Sequence, residues 1–125
     1  MKLLPTQTDE ISLSALGEEA SFMLMRHDFS TLADRFGYVL AHGRETAAAI
    51  EADYLGAAAL PRKAESNERP SIVVKYFNPN STGLFAVVEC SVPVAVGGAV
   101  LLELIVTGKG EEKHITVEDI SGVSA

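Results

Sequence analysis

The spacing of apolar residues changes once along the chain, from a helical period in the first half to a two-residue period in the second. Over residues 12–27 the apolar side chains recur every three or four positions, which predicts an amphipathic helix. Asp28 and Ser30 belong to the residue types that cap helix N-termini. A second helix is therefore predicted to begin near them and to continue through Phe36.

Residues 37–43, Gly-Tyr-Val-Leu-Ala-His-Gly, permit two interpretations. They can extend the second helix, with Gly43 as its C-terminal cap, or form a short strand between two glycines. The pattern favours the strand slightly. The alanine-rich residues 45–60 then predict a third helix. Its predicted apolar face consists of Ala47, Ile50, Tyr54, Leu55 and Ala58.

A polar connection bounded by prolines, residues 61–70, separates the helical part from a predicted sheet. The predicted strands are residues 71–77, 84–96, 99–107 and 114–120, with turns at 78–83, 97–98 and 108–113. The sequence thus predicts one α+β domain over residues 1–125, with a helical part (9–60), the connection (61–70) and an antiparallel sheet (71–123). We expect the N-terminal helices to pack on one face of a curved, cone-like sheet.

The two central strands form a predicted hairpin that is apolar on both faces. With Gly97 and Gly98 as a two-residue turn, Glu89 lies opposite Val106, and Glu89 and Glu103 point to opposite faces. Helices can cover only one face, so the other is predicted to pack on a second chain, most simply a two-fold copy. The alternative is that the helices or the N-terminal segment also cover the remaining surface.

Each of these glutamates would stand among aliphatic side chains. Such a carboxylate is hydrogen-bonded, lies near water at an edge, or has a raised pKa because burial disfavours its charge. The simplest interpretation is that the long side chain reaches a strand end or pairs with an arginine. A raised pKa would instead make Glu89 a candidate acid or base.

Composition narrows the function classes. The chain is 47% apolar and 22% charged, which is typical of a globular domain. Its formal charge of −7 is spread evenly without a basic patch, so we expect no nucleic-acid partner, whereas a basic protein is a possible one. Cys90 is the only cysteine, which excludes an internal disulfide and favours an inert apolar role.

The location of the protein is expected to be cytoplasmic. The first residues contain too few apolar positions before Pro5 for a signal peptide. Residues 84–106 are mostly apolar, but two carboxylates and the Gly97-Gly98 pair make a membrane helix costly, so no membrane partner is expected.

No motif of the chain identifies a reaction, and we expect neither a cofactor nor a metal. Phosphate-binding glycine loops, paired cysteines and a Gly-x-Ser-x-Gly elbow are absent from the sequence. The three histidines are far apart and lack the spacing of metal ligands. His42, beside Gly43 and near Tyr38, is interpreted as a core or capping residue, with a functional role as the alternative.

Residues 25–36, Met-Arg-His-Asp-Phe-Ser-Thr-Leu-Ala-Asp-Arg-Phe, combine an aspartate, an aromatic residue and a Leu-Ala turn. They resemble the junction between the first helices of the NTF2-like (SnoaL-like) superfamily. The closing residues 115–120, Ile-Thr-Val-Glu-Asp-Ile, are similar to that superfamily's last strand. The order of the predicted elements is similar as well.

The resemblance implies a cone-shaped pocket between the sheet and the helices, often within a dimer. Enzymatic members of the superfamily use an Asp, His or Tyr in that pocket. Here the candidates for ligand binding are Tyr38, His42, Tyr54 and Glu89. None of them matches a catalytic motif of the family, so no catalytic role is carried over, and non-catalytic members are common.

Three functions follow from the sequence. The first is a non-catalytic, dimeric binding module for a small apolar ligand or a protein. The second is an acidic inhibitor or immunity-type protein that binds a basic toxin. The third is a cofactor-free isomerase, cyclase or hydratase that uses a buried carboxylate.

Overall fold

The computed structural model describes residues 1–59, 69–94 and 98–122. These residues form the helices α1 (Glu10–Met25), α2 (Phe29–Phe36) and α3 (Thr46–Ala58). They also form the strands β1 (Lys2–Leu3), β2 (Ser71–Tyr76), β3 (Leu84–Pro93), β4 (Ala99–Lys109) and β5 (Glu112–Gly122). Short 3₁₀ turns occupy Pro5–Gln7 and Val39–Ala41.

The strands form one antiparallel sheet in the order β1-β5-β4-β3-β2. Strands β2 to β5 follow one another as a meander, and β1 pairs with the outer edge of β5, where Leu3 lies opposite Lys113. Helix α1 packs on β2 and β3, α3 packs on β4 and β5, and α2 contacts both helices. The predicted α+β fold, with its helices before the sheet and on one face of it, is confirmed; β1 is an element that the sequence pattern does not predict.

Acidic residues cap all three of these helices. The side chains of Asp9, Asp28 and Glu45 each accept a hydrogen bond from the backbone amide three residues further on. Such a bond satisfies one of the amides that have no partner within the helix. Asp28 therefore caps α2 as predicted, whereas Ser30 lies inside the helix.

The buried side of α3 differs from the predicted one. Leu55 is 54% exposed, while Ala49 and Ala57 are buried together with Ile50 and Tyr54. Alanines on almost every side of this helix fit the core equally well by pattern, so the pattern does not select one face. The sheet instead receives the stripe in which two alanines allow close packing around the larger side chains.

Residues 37–43 form neither the helical extension nor the short strand that the sequence suggests. Gly37 ends α2 with a positive φ of 71°, and Tyr38 makes a single parallel bridge to Val117 of β5. The chain then turns through Val39–Ala41 and passes through a left-handed conformation at His42.

Helix α1 lies unusually close to the sheet at Gly17. A Cβ atom on Gly17 would come within 2.8 Å of a methyl carbon of Val88 and 3.2 Å of the Cys90 sulfur. The first of these contacts is shorter than real Cβ atoms show, so a side chain at this position would force α1 or the sheet to shift, and glycine avoids this. The inner face of β3 and β4 that receives α1 and α3 is fully buried: Ala86, Val88, Cys90, Val92, Val100, Leu102, Leu104 and Val106 are 0% exposed.

The pairing of β3 with β4 corrects the predicted register. Pro93 pairs with Ala99, and the amide of Val94 donates to the carbonyl oxygen of Gly98 at 3.2 Å. The connection is therefore longer than a two-residue turn at residues 97–98. Because the resulting shift is an odd number of residues, it exchanges the faces of one strand relative to the other. Glu89 consequently lies opposite Glu103 on the same face, not opposite Val106.

Several predicted segments extend beyond the described residues. Outside them lie residue 60 at the end of the predicted third helix, residues 61–68 of the polar connection, residues 95–96 of the predicted strand 84–96, residue 97 of the predicted turn, and residue 123 at the end of the predicted sheet. The last strand begins at Glu112 and ends at Gly122, so it is longer at both ends than the predicted segment 114–120.

Candidate functional site

The face of the sheet that points away from the helices is the candidate functional site, and we call it the outer face. Residues of β3 and β4 alternate between fully buried positions toward the helices and half-buried positions on this face. None of the described helices packs on it. Its aliphatic members are Val73, Val87, Leu101 and Ile105.

Carboxylates on directly paired residues form a row across the outer face, from β3 through β4 to β5. Glu89 of β3 pairs with Glu103 of β4, and Glu103 pairs with Asp119 of β5. The β4–β5 ladder shifts register at this point, so that Glu118 is an additional residue beside Asp119. We call Glu89, Glu103, Glu118 and Asp119 the acidic row. Direct partners on neighbouring strands have Cβ atoms only about 5 Å apart, so the like charges of this row repel one another.

Glu103 lies in the middle of the acidic row, and its pKa is raised. Partial burial raises the pKa of Glu103, and the neighbouring charges of Asp119, Glu118 and Glu89 raise it further. Lys75 of β2 acts in the opposite direction. Its ammonium group lies 2.6 Å from the Glu89 carboxylate, so one lysine partly neutralises one end of the row.

Tyr38, one of the four candidates suggested by the sequence, belongs to a separate network on the helical side. Its hydroxyl donates a 2.5 Å hydrogen bond to Asp53 of α3. Arg44 holds the same carboxylate with two nitrogens at 3.0 and 3.1 Å, and it also donates to the carbonyls of Leu40 and Ala41. The network fastens the turn after α2 to α3.

The network shifts the pKa values of Asp53 and Tyr38 in opposite directions. The hydrogen bond from Arg44 and that from Tyr38 lower the pKa of Asp53, against the opposing effect of burial. Burial, followed by the hydrogen bond to Asp53, raises the pKa of Tyr38. Tyr38 is thus a neutral donor locked onto a carboxylate, which suits a structural role better than proton transfer.

The structure does not bring the four candidates together. Tyr54 is 5% exposed and packs against the rings of His27 and Phe29, with centroids 5.3 and 5.8 Å away. His42 is exposed at the end of a 3₁₀ turn. Glu89 lies on the outer face, on the side of the sheet opposite the helices. No single pocket among the described residues therefore contains Tyr38, His42, Tyr54 and Glu89.

Cys90 is an interior residue. It is fully buried, and burial raises the pKa of its thiol to about 12. Its sulfur lies 3.7 Å from the carbonyl oxygen of Gly17 and can donate to it. A thiol in this setting is a poor nucleophile.

Three members of the acidic row, Glu103, Glu118 and Asp119, are not among the four candidates that the sequence suggests. Glu103 stands out in the sequence as a charge in an apolar strand, but the predicted register separates it from Glu89. Glu118 and Asp119 look like ordinary surface residues near the end of the chain. Their meeting depends on strand pairing, which no local signal reveals.

Metal sites and membrane-spanning helices are not found among the described residues. No group of three or more His, Cys, Asp or Glu side chains in them is arranged to hold a metal ion. None of their helices is long and apolar enough to cross a membrane. Comparison of the chain with protein-family models, with curated proteins and with solved structures found no match in any of the three.

Proposed function

We propose that the chain is a non-catalytic binding module whose outer face receives a basic protein partner. The observation that carries the proposal is the in-register acidic row on a sheet face that no described helix covers. The proposal unites the binding module and the acidic inhibitor that the sequence suggests, since both act by surface recognition.

The row is costly for the isolated chain. Like charges on directly paired residues oppose folding by about 0.2–1 kcal/mol for each pair. Departures from local stability rules of this kind are expected at functional sites. A partner that places lysine or arginine over the row would turn this repulsion into attraction.

The aliphatic residues around the row supply the second component of a docking surface. Val73 is 50% exposed, and Val87, Leu101 and Ile105 are half-buried beside the carboxylates. Protein interfaces combine apolar contact area with charges that fix the orientation of the partner. The net charge of −7 would also accelerate association with a cationic protein.

A second copy of the chain is the other occupant to consider, because the sequence predicts a homo-oligomer formed through the sheet. The apolar side chains of the outer face favour such a dimer. The carboxylates oppose it, since a face-to-face pair would bring one acidic row against another. The charge pattern therefore favours a basic partner over a self-dimer.

An enzymatic role is not supported by the position of the carboxylate that such a role would use. Glu89 lies on an open sheet face, 2.6 Å from Lys75, not inside a cavity. The NTF2-like resemblance and a cytoplasmic location remain part of the proposal. The order of helices and sheet supports the first, and an unpaired cysteine is compatible with the second.

The test is a titration of ¹⁵N-labelled protein with a cationic peptide in which lysine and valine alternate, followed by NMR. A peptide with glutamine in place of lysine is the control. We expect amide shifts in the central parts of β3, β4 and β5, and loss of these shifts at high salt. Shifts confined to the helices, or equal shifts with the neutral peptide, would contradict the proposal.

A matched pair of variants separates the acidic row from the overall charge. The row variant carries Glu89→Gln, Glu103→Gln and Asp119→Asn. The control makes the same change in charge at exposed helix positions, with Glu18→Gln, Asp34→Asn and Glu51→Gln. We expect the row variant to bind the peptide about tenfold more weakly than the control, since each exposed ion pair contributes a modest amount.

Sedimentation equilibrium of the unmodified protein shows whether the outer face is free for a basic partner or is covered by a second copy of the chain. The proposal expects a monomer at micromolar concentration and low salt. A dimer that the Leu101→Ser substitution dissociates would assign the outer face to a second copy and overturn the proposal.

A further inference from the structure

A groove at one end of the sheet provides a second site that shares no residue with the acidic row. It lies where β3 begins and β4 ends, and its volume is about 610 Å³. Small-molecule sites span roughly 300–1,000 Å³. The loop before β3 forms one wall, the turn between β4 and β5 forms the other, and Leu84 and Phe85 lie between them. We call this the end groove.

The loop wall is held in place by Asn80. Its side-chain oxygen accepts hydrogen bonds from the amides of Thr82 and Leu84 at 3.1 and 3.2 Å. Its side-chain nitrogen donates to the carbonyls of Asn78 and Leu84, both at 2.9 Å. Because one side chain makes four such bonds, the wall is formed before any ligand arrives.

The two walls are joined directly by the backbone. The amide of Gly108 donates to the carbonyl oxygen of Gly83 at 3.0 Å. Gly108 has a φ of 149°, and a Cβ atom there would lie 2.0 Å from the carbonyl oxygen of Glu112. A residue with a side chain cannot occupy this position, so the close approach of β4 and β5 that shapes the groove requires glycine.

A β-bulge places an aromatic ring in the end groove. Leu84 pairs with Thr107 and Ala86 pairs with Val106, so Phe85 is an additional residue in the ladder. Bulges of this kind redirect a side chain and are frequent beside binding sites. The Phe85 ring has its centroid 4.8 Å from the ammonium nitrogen of Lys113.

The charge of the end groove is opposite to that of the protein. Among the described residues that line it, two are lysines, Lys109 and Lys113, and none is acidic. The nearby carboxylate of Glu112 is directed to Lys2 and His114, at 4.0 and 3.4 Å. The whole chain, by contrast, has 17 acidic and 10 basic residues. Glu112 is also the direct partner of Lys109 across the β4–β5 ladder, but no acidic residue among the described ones lines the groove itself. The two lysines therefore make the lining attractive to an anion in an otherwise acidic protein.

We infer that the end groove binds a small organic anion, in which a carboxylate or phosphate group is attached to an aromatic or aliphatic body. The anionic group is recognised by Lys109 and Lys113. The apolar body packs on Phe85 and Leu84. This inference is independent of the proposed protein partner, because the two sites use different residues and ligands of opposite charge.

The probe for the test is phenyl phosphate, added to ¹⁵N-labelled protein and followed by NMR. Phenol and inorganic phosphate are the comparison probes, since each offers one half of the recognised chemistry. We expect the largest amide shifts at Gly83, Phe85, Gly108 and Gly110, with phenyl phosphate binding more tightly than either half. Equal binding of all three probes, or shifts spread over lysines outside the groove, would overturn the inference.

Variants of the two groove lysines test whether their positive charge is needed for phenyl phosphate binding. Lys109→Gln and Lys113→Gln are each expected to weaken phenyl phosphate binding by about threefold to fivefold, in line with exposed ion pairs. Lys75→Gln is the matched control, because Lys75 lies on the outer face beside Glu89. Lys109 is exposed, so its replacement leaves the fold intact and keeps the result interpretable. Unchanged affinity in both groove variants would contradict the assignment.

Discussion

Glu89 and Glu103 are direct partners in the ladder between β3 and β4, and Glu103 faces Asp119 across the next ladder. Replacing Glu103 with glutamine keeps the size of the side chain and removes this repulsion. We predict that Glu103→Gln raises the free energy of unfolding at pH 7 by about 0.5–1 kcal/mol. Urea denaturation measures it, with Glu51→Gln on the exposed side of α3 as the control.

The difference in free energy of unfolding between the unmodified protein and Glu103→Gln should depend on pH. Since folding raises the pKa of Glu103, the folded state binds this proton more tightly than the unfolded state. The contribution of Glu103 to the stability of the unmodified protein therefore becomes unfavourable as the pH rises above about 4.3, the ordinary pKa of glutamate. The advantage of Glu103→Gln is expected to grow from pH 4 to 7 and to vanish in acid. A variant that is less stable at pH 7 would refute the proposed repulsion.

Asp53 is predicted to behave in the opposite way. Asp53→Asn removes a carboxylate that holds Arg44 and Tyr38, so the free energy of unfolding should fall by about 1 kcal/mol. This is below the usual range for charged hydrogen bonds because Arg44 is partly in water. Folding lowers the pKa of Asp53, so its stabilising effect is complete above about pH 4 and is lost as the pH falls.

Urea denaturation at pH 7 and at pH 3 checks this prediction. Asp34→Asn on α2 serves as the control, because it makes the same chemical change at an exposed helix residue. The difference between the unmodified protein and Asp53→Asn should narrow in acid. A difference that is independent of pH would mean that shape, not charge, accounts for the effect.

Two glycines in helices should respond to alanine in opposite directions. Gly17→Ala would drive a methyl group into Val88, and we predict a loss of about 1–3 kcal/mol from overpacking. At Gly56 of α3 no described residue lies within 4 Å of the added atom, so Gly56→Ala should gain up to about 1 kcal/mol from helix propensity. Thermal or urea unfolding of both variants provides the comparison. Similar effects at the two positions would contradict the close packing of α1.

Cys90 gives a direct probe of the interior. Because it is fully buried and its thiol has a pKa of about 12, we predict that the folded protein does not react with a disulfide reagent at pH 8. Urea should release the reaction over the same concentration range as the loss of circular dichroism. Rapid reaction in the absence of urea would show that α1 leaves the sheet easily.

The elements of the fold could be predicted from the sequence because their signals are local. The change of apolar period, the capping side chain of Asp28 and the turn residues before β3 each report on their own neighbourhood. The buried side of α3 could not be predicted, since alanine is compatible with either side. Strand β1 is only two residues long, which leaves no period to recognise.

The candidate site was less predictable than the fold. The register of β3 and β4 depends on where pairing stops, and valines and alanines on both sides of the glycine pair mark no such point. The observed register differs from the predicted one by an odd number of residues, so Glu103 lies on the same face as Glu89 and the acidic row forms. Phe85 in the end groove depends on a bulge, which likewise arises only when two strands pair.

The pairing of β1 with β5 has a consequence for the order in which the protein assembles. Leu3 of β1 is 2% exposed, and its partner in the ladder is Lys113 of β5. During synthesis β1 therefore has no strand to pair with, and Leu3 remains in water, until β5 (Glu112–Gly122) has been made. Contacts between residues so distant in sequence form slowly. The β1 edge of the sheet is thus expected to form last, after the meander of β2 to β5.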